Sequence, residues 1–278
     1  MIEFVEETLL LLPFLFATYL VLEALEAHAG SALEVFLERA RSVGPAAGAL
    51  AGAIPQCGVS AAAASLYAGG VITVGTLVAV FLSTSDELLP VLISERVPMS
   101  LMVKIVGVKL VCALGVGFIV NGLLTFARHR RREVSVRELC EHSRCGCHEH
   151  KGILVPALIH TGEIFLFIAL VSGAIELCMH FFGEGCLNAL RLNRPFFGEL
   201  AAGALGLIPN CAVSVAGAKL YLAGAMSPGA LMASSFTGSG LGLLVLFRTN
   251  RNLKENLLIM GMVYVVGVVL GLVTGCLI

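Results

Sequence analysis

A proline, an amide and a cysteine stand together twice in this chain, each time inside an apolar stretch. Residues 54–92 and 208–246 are identical at 17 of 39 positions when they are aligned without gaps at an offset of 154 residues (Cys57 to Cys211, 211 − 57). Proline removes a backbone donor and clashes with the preceding helical turn. Two-repeat transporters build their binding site near the bilayer midplane from such duplicated, broken helices. The duplication therefore predicts a site to which both copies contribute.

The side chains expected at this site are amides, thiols, hydroxyls and carboxylates. Asp86 and Glu87 lie deep in apolar sequence, where a carboxylate costs about 3 kcal/mol, which indicates a functional role. The matching stretch of the second copy keeps hydroxyls but lacks both acids, so we expect a site that is symmetric in shape and asymmetric in charge. Alternatively, the two acids mark a helix end at the membrane interface, since Pro90 follows closely. The residues predicted to bind the transported ion are Gln56, Cys57, Ser60, Ser83, Ser85, Asp86, Glu87, Asn210, Cys211, Ser214, Thr237 and Ser239.

The ligand types in this set point to a small inorganic ion. Oxygen ligands suit Mn²⁺ and Mg²⁺, whereas thiolates suit softer ions. A neutral, arsenite-like hydroxide would bind the thiols and would need no carboxylate. The mixed set slightly favours a divalent cation such as Mn²⁺ over arsenite, with Asp86 as a ligand or as the proton carrier of an antiport cycle. We expect Gln56 to face Asn210, and Cys57 to face Cys211, across a pseudo-twofold axis.

Two further groups of residues could handle metal or protons. His160 and Glu163 are three residues apart on one helical face, and such a pair either relays protons or lies at the membrane interface. The central loop is dense in thiols and imidazoles, which are ligands for soft metals. It is read either as a tether that captures or senses metal, or as a solvated linker without metal. The loop candidates are Cys140, His142, Cys145, Cys147, His148 and His150.

Composition places these residues in a membrane protein. Of 278 residues, 58% are hydrophobic and 13% are charged, and the mean hydropathy is +0.94. Soluble domains have about 25% charged residues, so a water-soluble globule is excluded. The acidic N-terminus argues against a cleaved signal peptide, and no basic helix indicates nucleic acid. Stretches long enough to cross a bilayer, about 20 residues each, lie near 8–27, 44–69, 70–93, 100–127, 153–181, 197–225, 226–247 and 254–278.

The fold class expected is an all-α polytopic membrane protein with two structural repeats, each with a proline-broken or re-entrant helix. The predicted units are a first repeat, 1–127, a cytoplasmic Cys/His-rich basic linker, 128–151, and a second repeat, 152–278. The positive-inside bias places the linker in the cytoplasm and favours inverted repeats, although an even number of crossings would make them parallel. The broken helices are predicted at 44–69 and 198–224; the alternative is a pair of continuous, kinked helices.

The whole chain resembles a known family through several motifs. These are PQCGVSAAAASLYAGG from Pro55, GTLVAVFLSTSDE from Gly75, the Cys/His-rich loop, and LIHTGEIFLFI from Leu158. They are similar to motifs of the ten-helix heavy-metal exporters, a family whose members also carry the labels arsenic efflux protein and manganese transporter. The resemblance implies an efflux permease of a prokaryotic inner membrane and leaves the ion open.

The leading hypothesis is a proton-coupled secondary transporter that exports a metal or metalloid ion. The sequence contains no Walker-type phosphate-binding motif, so we expect an ion gradient to supply the energy and expect no enzymatic activity. The alternatives are an intramembrane thiol or metal-dependent enzyme, and a membrane metal sensor that uses the Cys/His loop. We expect no cofactor besides the transported ion. The expected partners are the lipid bilayer and that ion, without nucleic acid, and a homo-oligomer is left open.

Overall fold

The computed structural model describes five main segments of the chain: 43–54, 57–84, 88–127, 196–209 and 211–276, with scattered positions at 13–20 and 158–173. Within these segments helix is the only regular secondary structure, and no strand occurs there. Three helical stretches are long and apolar enough to cross a membrane: Met99–Leu123, Pro228–Thr249 and Leu253–Thr274. The predicted all-α polytopic membrane fold is therefore confirmed.

Ten of the described helices form two sets of five with the same order and closely matching bounds, and further helical residues are described within 13–20 and 158–173. In the first repeat they are α1 (Val43–Gly52), α2 (Cys57–Ala68), α3 (Val74–Ser83), α4 (Leu88–Ser94) and α5 (Met99–Ala127). In the second repeat they are α6 (Phe197–Gly206), α7 (Cys211–Leu222), α8 (Pro228–Thr237), α9 (Gly242–Thr249) and α10 (Leu253–Thr274). Every helix of the second set begins 154 residues after its counterpart (for example, 197 − 43). The duplication thus extends beyond the 39 aligned residues, whereas the inverted orientation of the repeats stays a prediction.

Both predicted helix breaks are present. Before the first, the chain tightens into a turn in which Ile54 N–H donates to Ala51 O at 3.1 Å, and α2 begins only at Cys57. Before the second, Ile208 N–H donates to Leu205 O at 3.0 Å. The alternative of continuous, kinked helices is therefore wrong. Pro209 lies in the second break as predicted, whereas Pro55, Gln56 and Asn210 lie outside the described residues.

The helices that follow the breaks also end alike. Gly70 and Gly224 have φ values of 77° and 73°, which glycine adopts without the steric penalty of a Cβ. After each glycine the next N–H reaches back to a helical carbonyl, Val71 to Leu66 and Ala225 to Leu220, both at 2.9 Å. This is the Schellman arrangement for helix ends. It turns the chain into α3 and α8 at equivalent points.

The two equivalent central helices, α3 and α8, are almost completely buried. All residues of α3 from Gly75 to Ser83 are buried, as are most of those of α8. Within each repeat, α3 packs on α5 and α8 packs on α10; α3 and α8 also contact each other. Across the repeats, α2 packs on α9 and α7 contacts α4. The two repeats therefore interlock around a core whose centre is the α3–α8 pair.

Glycines permit this close packing at matching positions. A Cβ on Gly75 would lie 2.5 Å from Gly117 O, which belongs to α5. In the second repeat, a Cβ on Gly229 would lie 3.2 Å from Gly271 O, and one on Gly271 would lie 2.6 Å from the Cβ of Ala233. Small residues that let backbones approach are typical of helix interfaces in membranes.

We predict that Gly75→Ala destabilises the protein, because the added methyl would overlap a main-chain oxygen that cannot move alone. Overpacking of this kind costs about 1–3 kcal/mol. The matched control is Gly115→Ala, since a Cβ at Gly115 meets nothing within 4 Å and alanine favours the helix by about 1 kcal/mol. Thermal unfolding of both variants in detergent tests the packing. An unfolding midpoint of Gly75→Ala equal to or above that of the wild type would contradict it.

Candidate functional site

The candidate site lies where α3 and α8 end. After α3 the chain leaves the helix at Thr84, and after α8 it passes through Gly238, Ser239 and Gly240 before α9 begins. Each repeat therefore has a second interruption. Interrupted backbone at membrane depth occurs only where protein or a water-filled cavity can satisfy it.

Lys109 of α5 reaches this place from inside the protein. Its side chain is fully buried, and its ammonium donates to Thr84 O, to Ser235 O at 2.9 Å and to Ser235 Oγ at 2.7 Å. The ring centroid of Phe236 lies 5.9 Å from Nζ. Thr84 belongs to the first repeat and Ser235 to the second, so Lys109 connects the two at the α3–α8 contact. The sequence predictions did not include this residue, although a lysine within a long apolar helix is itself a signal of function.

Two of the predicted ligands, Ser239 and Ser60, are buried near the start of α9. Ser239 is 1% exposed, and its Oγ has no hydrogen-bond partner among the described residues. Ser60 on α2 is fully buried, and a Cβ on Gly242 would lie 2.9 Å from the Cβ of Ser60. Gly242 N–H in turn donates to Ser239 O at 3.1 Å. Because an unsatisfied buried hydroxyl requires an explanation, Ser239 is a candidate ligand.

The hydroxyls of Ser83 and Thr237 are engaged with the main chain. Ser83 Oγ donates to Val80 O at 3.0 Å, and Thr237 Oγ1 lies 2.8 Å from Gly203 O and 3.0 Å from Ala233 O. A Cβ on Gly52 of α1 would overlap Ser83, and a Cβ on Gly206 of α6 would overlap Thr237. These contacts favour a role in holding α3 to α1 and α8 to α6. Ser214, on α7, is half-buried.

Several predicted residues lie outside what the structure describes, so their roles stay predictions. Of the proton-relay pair, only Glu163 is described, and it is exposed in the helical residues 161–167. Among the described residues, no group of three or more histidine, cysteine or acidic side chains could hold a metal ion. The side chains not described are those of Gln56, Cys57, Ser85, Asp86, Glu87, Asn210, Cys211, His160, Cys140, His142, Cys145, Cys147, His148 and His150.

The structure also reveals a buried carboxylate in the second repeat that the sequence predictions missed. Glu199, in the first turn of α6, is 5% exposed, and its Oε1 accepts a hydrogen bond at 3.3 Å from the Oγ of Ser227, the N-cap of α8. Its Oε2 has no partner among the described residues. A helix N-terminus favours negative charge. The second repeat therefore lacks acids directly after α8 but has one, on α6, beside the N-terminus of α8.

The family to which the chain is similar agrees with this arrangement of buried polar groups in membrane helices. The family model described as "Putative, 10TM heavy-metal exporter" matches residues 8–196, about two thirds of the chain. The chain belongs to this family. The expected resemblance is thereby confirmed, and the protein is a multi-pass membrane protein of a metal-transporter family. No curated protein and no solved structure matches the chain.

The matched region of this heavy-metal-exporter family member ends directly before α6. It includes all five described helices of the first repeat. The remaining helices, α6 to α10, repeat the order of α1 to α5 at the constant offset. The second half thus has the same architecture as the part that carries the family match.

We predict that Ser239→Ala weakens ion binding without destabilising the protein, because the hydroxyl has no partner to lose among the described residues. Thr237→Val is the matched variant: it removes the bond to Gly203 O, which stabilises by about 0.5–1.5 kcal/mol, and should lower the unfolding midpoint. Thermal unfolding and transport rates measured on both variants separate the two roles. A destabilised Ser239→Ala with unchanged ion affinity would show that this hydroxyl is structural.

Proposed function

We propose that the protein is a secondary transporter that exports a heavy-metal or metalloid ion across the inner membrane of a prokaryote, coupled to protons. A divalent cation such as Mn²⁺ is favoured slightly over arsenite. One observation carries the proposal: in a member of a heavy-metal exporter family, the interrupted ends of α3 and α8 meet with buried polar groups from both repeats. Transporters with two repeats bind their substrates at such places.

The described groups at this place supply oxygen ligands. The hydroxyl of Ser239 is buried and unpaired among the described residues, and Ser60 of the other repeat packs against Gly242, three residues further along the chain. Hard divalent cations are bound by hydroxyl, carbonyl and carboxylate oxygens. The acids Asp86 and Glu87 follow Thr84, an acceptor of Lys109, by two and three residues in the sequence. This composition supports a cation more than a neutral hydroxide.

The thiols Cys57 and Cys211 support the second choice of ion. They begin the equivalent helices α2 and α7, directly after the two breaks. A trivalent metalloid such as arsenite binds thiols and needs no carboxylate. The two acids therefore favour a divalent cation, whereas the two thiols favour a metalloid. Substitutions of the acids and of the thiols can separate these two contributions.

We predict that Asp86→Asn and Cys57→Ala each abolish export while the protein remains in the membrane. Removing Asp86 deletes a ligand or proton carrier, and removing Cys57 deletes a thiol at the break. Suitable controls are Glu95→Gln and Cys276→Ala, because both native residues are exposed. Ion accumulation in cells, normalised to expression, measures the effect. Full export by both site variants would exclude the proposed site.

We also predict that the wild type restores growth to a strain that lacks its own exporters when the medium contains toxic Mn²⁺, but not when it contains arsenite. The carboxylates should make the protein more suited to a divalent cation than to a neutral hydroxide. Dose–response growth curves in the two ions, with the Asp86→Asn variant alongside, provide the measurement. Rescue in arsenite alone, retained in Asp86→Asn, would assign the site to a metalloid instead.

A further inference from the structure

Two acceptors of Lys109, Thr84 O and Ser235 O, are carbonyl groups of the kind that a helix leaves unsatisfied at its C-terminus. Thr84 is the C-cap of α3, and Ser235 lies two residues before the end of α8. In a longer helix, Ser235 O would accept from the N–H of Ser239, but that N–H donates to Thr237 O at 2.8 Å. The last carbonyls of a helix require other donors, and the helix dipole makes this end favourable for a positive charge. Lys109 therefore lies in a cation site formed by two helix ends.

In two-repeat transporters, the C-terminal ends of half-helices and unwound carbonyls coordinate the coupling Na⁺ or H⁺. Here a covalently attached ammonium has the contacts that such an ion would make. A neutral amide or hydroxyl could also donate to these carbonyls, without the cost of about 3 kcal/mol for a lysine at membrane depth. The presence of an ionisable donor thus indicates that its charge is used.

We propose that Lys109 carries the coupling proton of transport. When the exported cation binds, the Lys109 N–H bond breaks, the electron pair stays on Nζ, and the proton leaves to water on the cytoplasmic side. After the cation is released outside, Nζ takes a proton from the external water. One proton thereby moves inward through Lys109 for each cation exported. The inference rests on the proposed function and identifies its coupling residue.

Charge repulsion supplies the reason for this exchange. Two unit charges 6 Å apart repel by about 3 kcal/mol at an effective dielectric constant of about 20, and a divalent cation doubles this energy. Lysine can lose its proton when its surroundings disfavour charge, whereas arginine does not. An arriving cation therefore lowers the proton affinity of Lys109, and the departing cation restores it.

Among the described residues, the elements around Lys109 carry few other charged groups. Neither α3 nor α8, which supply its acceptors and the Phe236 ring, contains a titratable side chain. On α10, which packs against both, Glu255 accepts from Tyr67, while Tyr264 donates to Leu200 O. Asp86 and Glu87 follow α3 in the sequence and lie outside the described residues.

The test uses the purified, full-length protein in liposomes, with Mn²⁺ as the probe and the membrane voltage clamped. If one proton is exchanged for each Mn²⁺, a gradient of about one pH unit changes the steady-state ratio of Mn²⁺ inside to Mn²⁺ outside the liposomes about tenfold. We expect this response in the wild type and its loss in Lys109→Gln, with downhill Mn²⁺ flux retained. Lys109→Arg keeps the charge but cannot release it, so it should also lose the response. Lys104→Gln is the control, because Lys104 is exposed on the same helix.

The outcomes separate the inference from the proposed function. A wild-type pH response in Lys109→Gln overturns the inference and leaves metal export intact. Absence of both Mn²⁺ and arsenite transport by the wild type overturns the proposed function, and the inference with it. If neither Lys109 variant folds, as judged by size-exclusion chromatography, proton release on Mn²⁺ binding to the wild type in detergent decides. Release of about one proton per ion supports the inference, and no release overturns it.

Discussion

The backbone groups of an interrupted helix must find their partners within the protein, because the bilayer core offers none. This constraint accounts for the main polar contacts of the buried helices. Thr237 bonds to Gly203 O, a carbonyl in the last turn of α6, and Lys109 bonds to carbonyls at the ends of α3 and α8. The same side chains that complete the hydrogen bonding also tie the helices together. Polar residues at these breaks therefore serve the fold before they serve any substrate.

Close helix contacts make such completion possible. Gly75 and Gly229 let α3 and α8 approach α5 and α10 closely, and Gly206 leaves room for Thr237, whose hydroxyl reaches Gly203 O on α6. The backbone is thus duplicated in detail: the breaks, the glycine-ended helices and the packing recur at one offset.

The charges are not duplicated. At the same offset, Lys109 corresponds to Val263, Glu199 to Pro45, and Asp86 to Gly240. A symmetric backbone permits two equivalent arrangements of the repeats, as expected of alternating access. Charges that occur in only one of the two repeats distinguish them chemically. This combination is consistent with membership of a heavy-metal exporter family.

The sequence by itself determined the all-helical membrane fold, the repeat and both helix breaks. Hydropathy, a constant offset and proline act locally, so they can be read without coordinates. The hydroxyl residues of the sequence also pointed to the ends of α3 and α8. They did not show which of these hydroxyls is hydrogen-bonded to the main chain. Only the tertiary structure showed that Ser239 is unpaired among the described residues and that Lys109 joins the repeats. The partners of Lys109 lie 25 and 126 residues away. Such contacts depend on how each helix is rotated and how closely it packs, which no local pattern encodes.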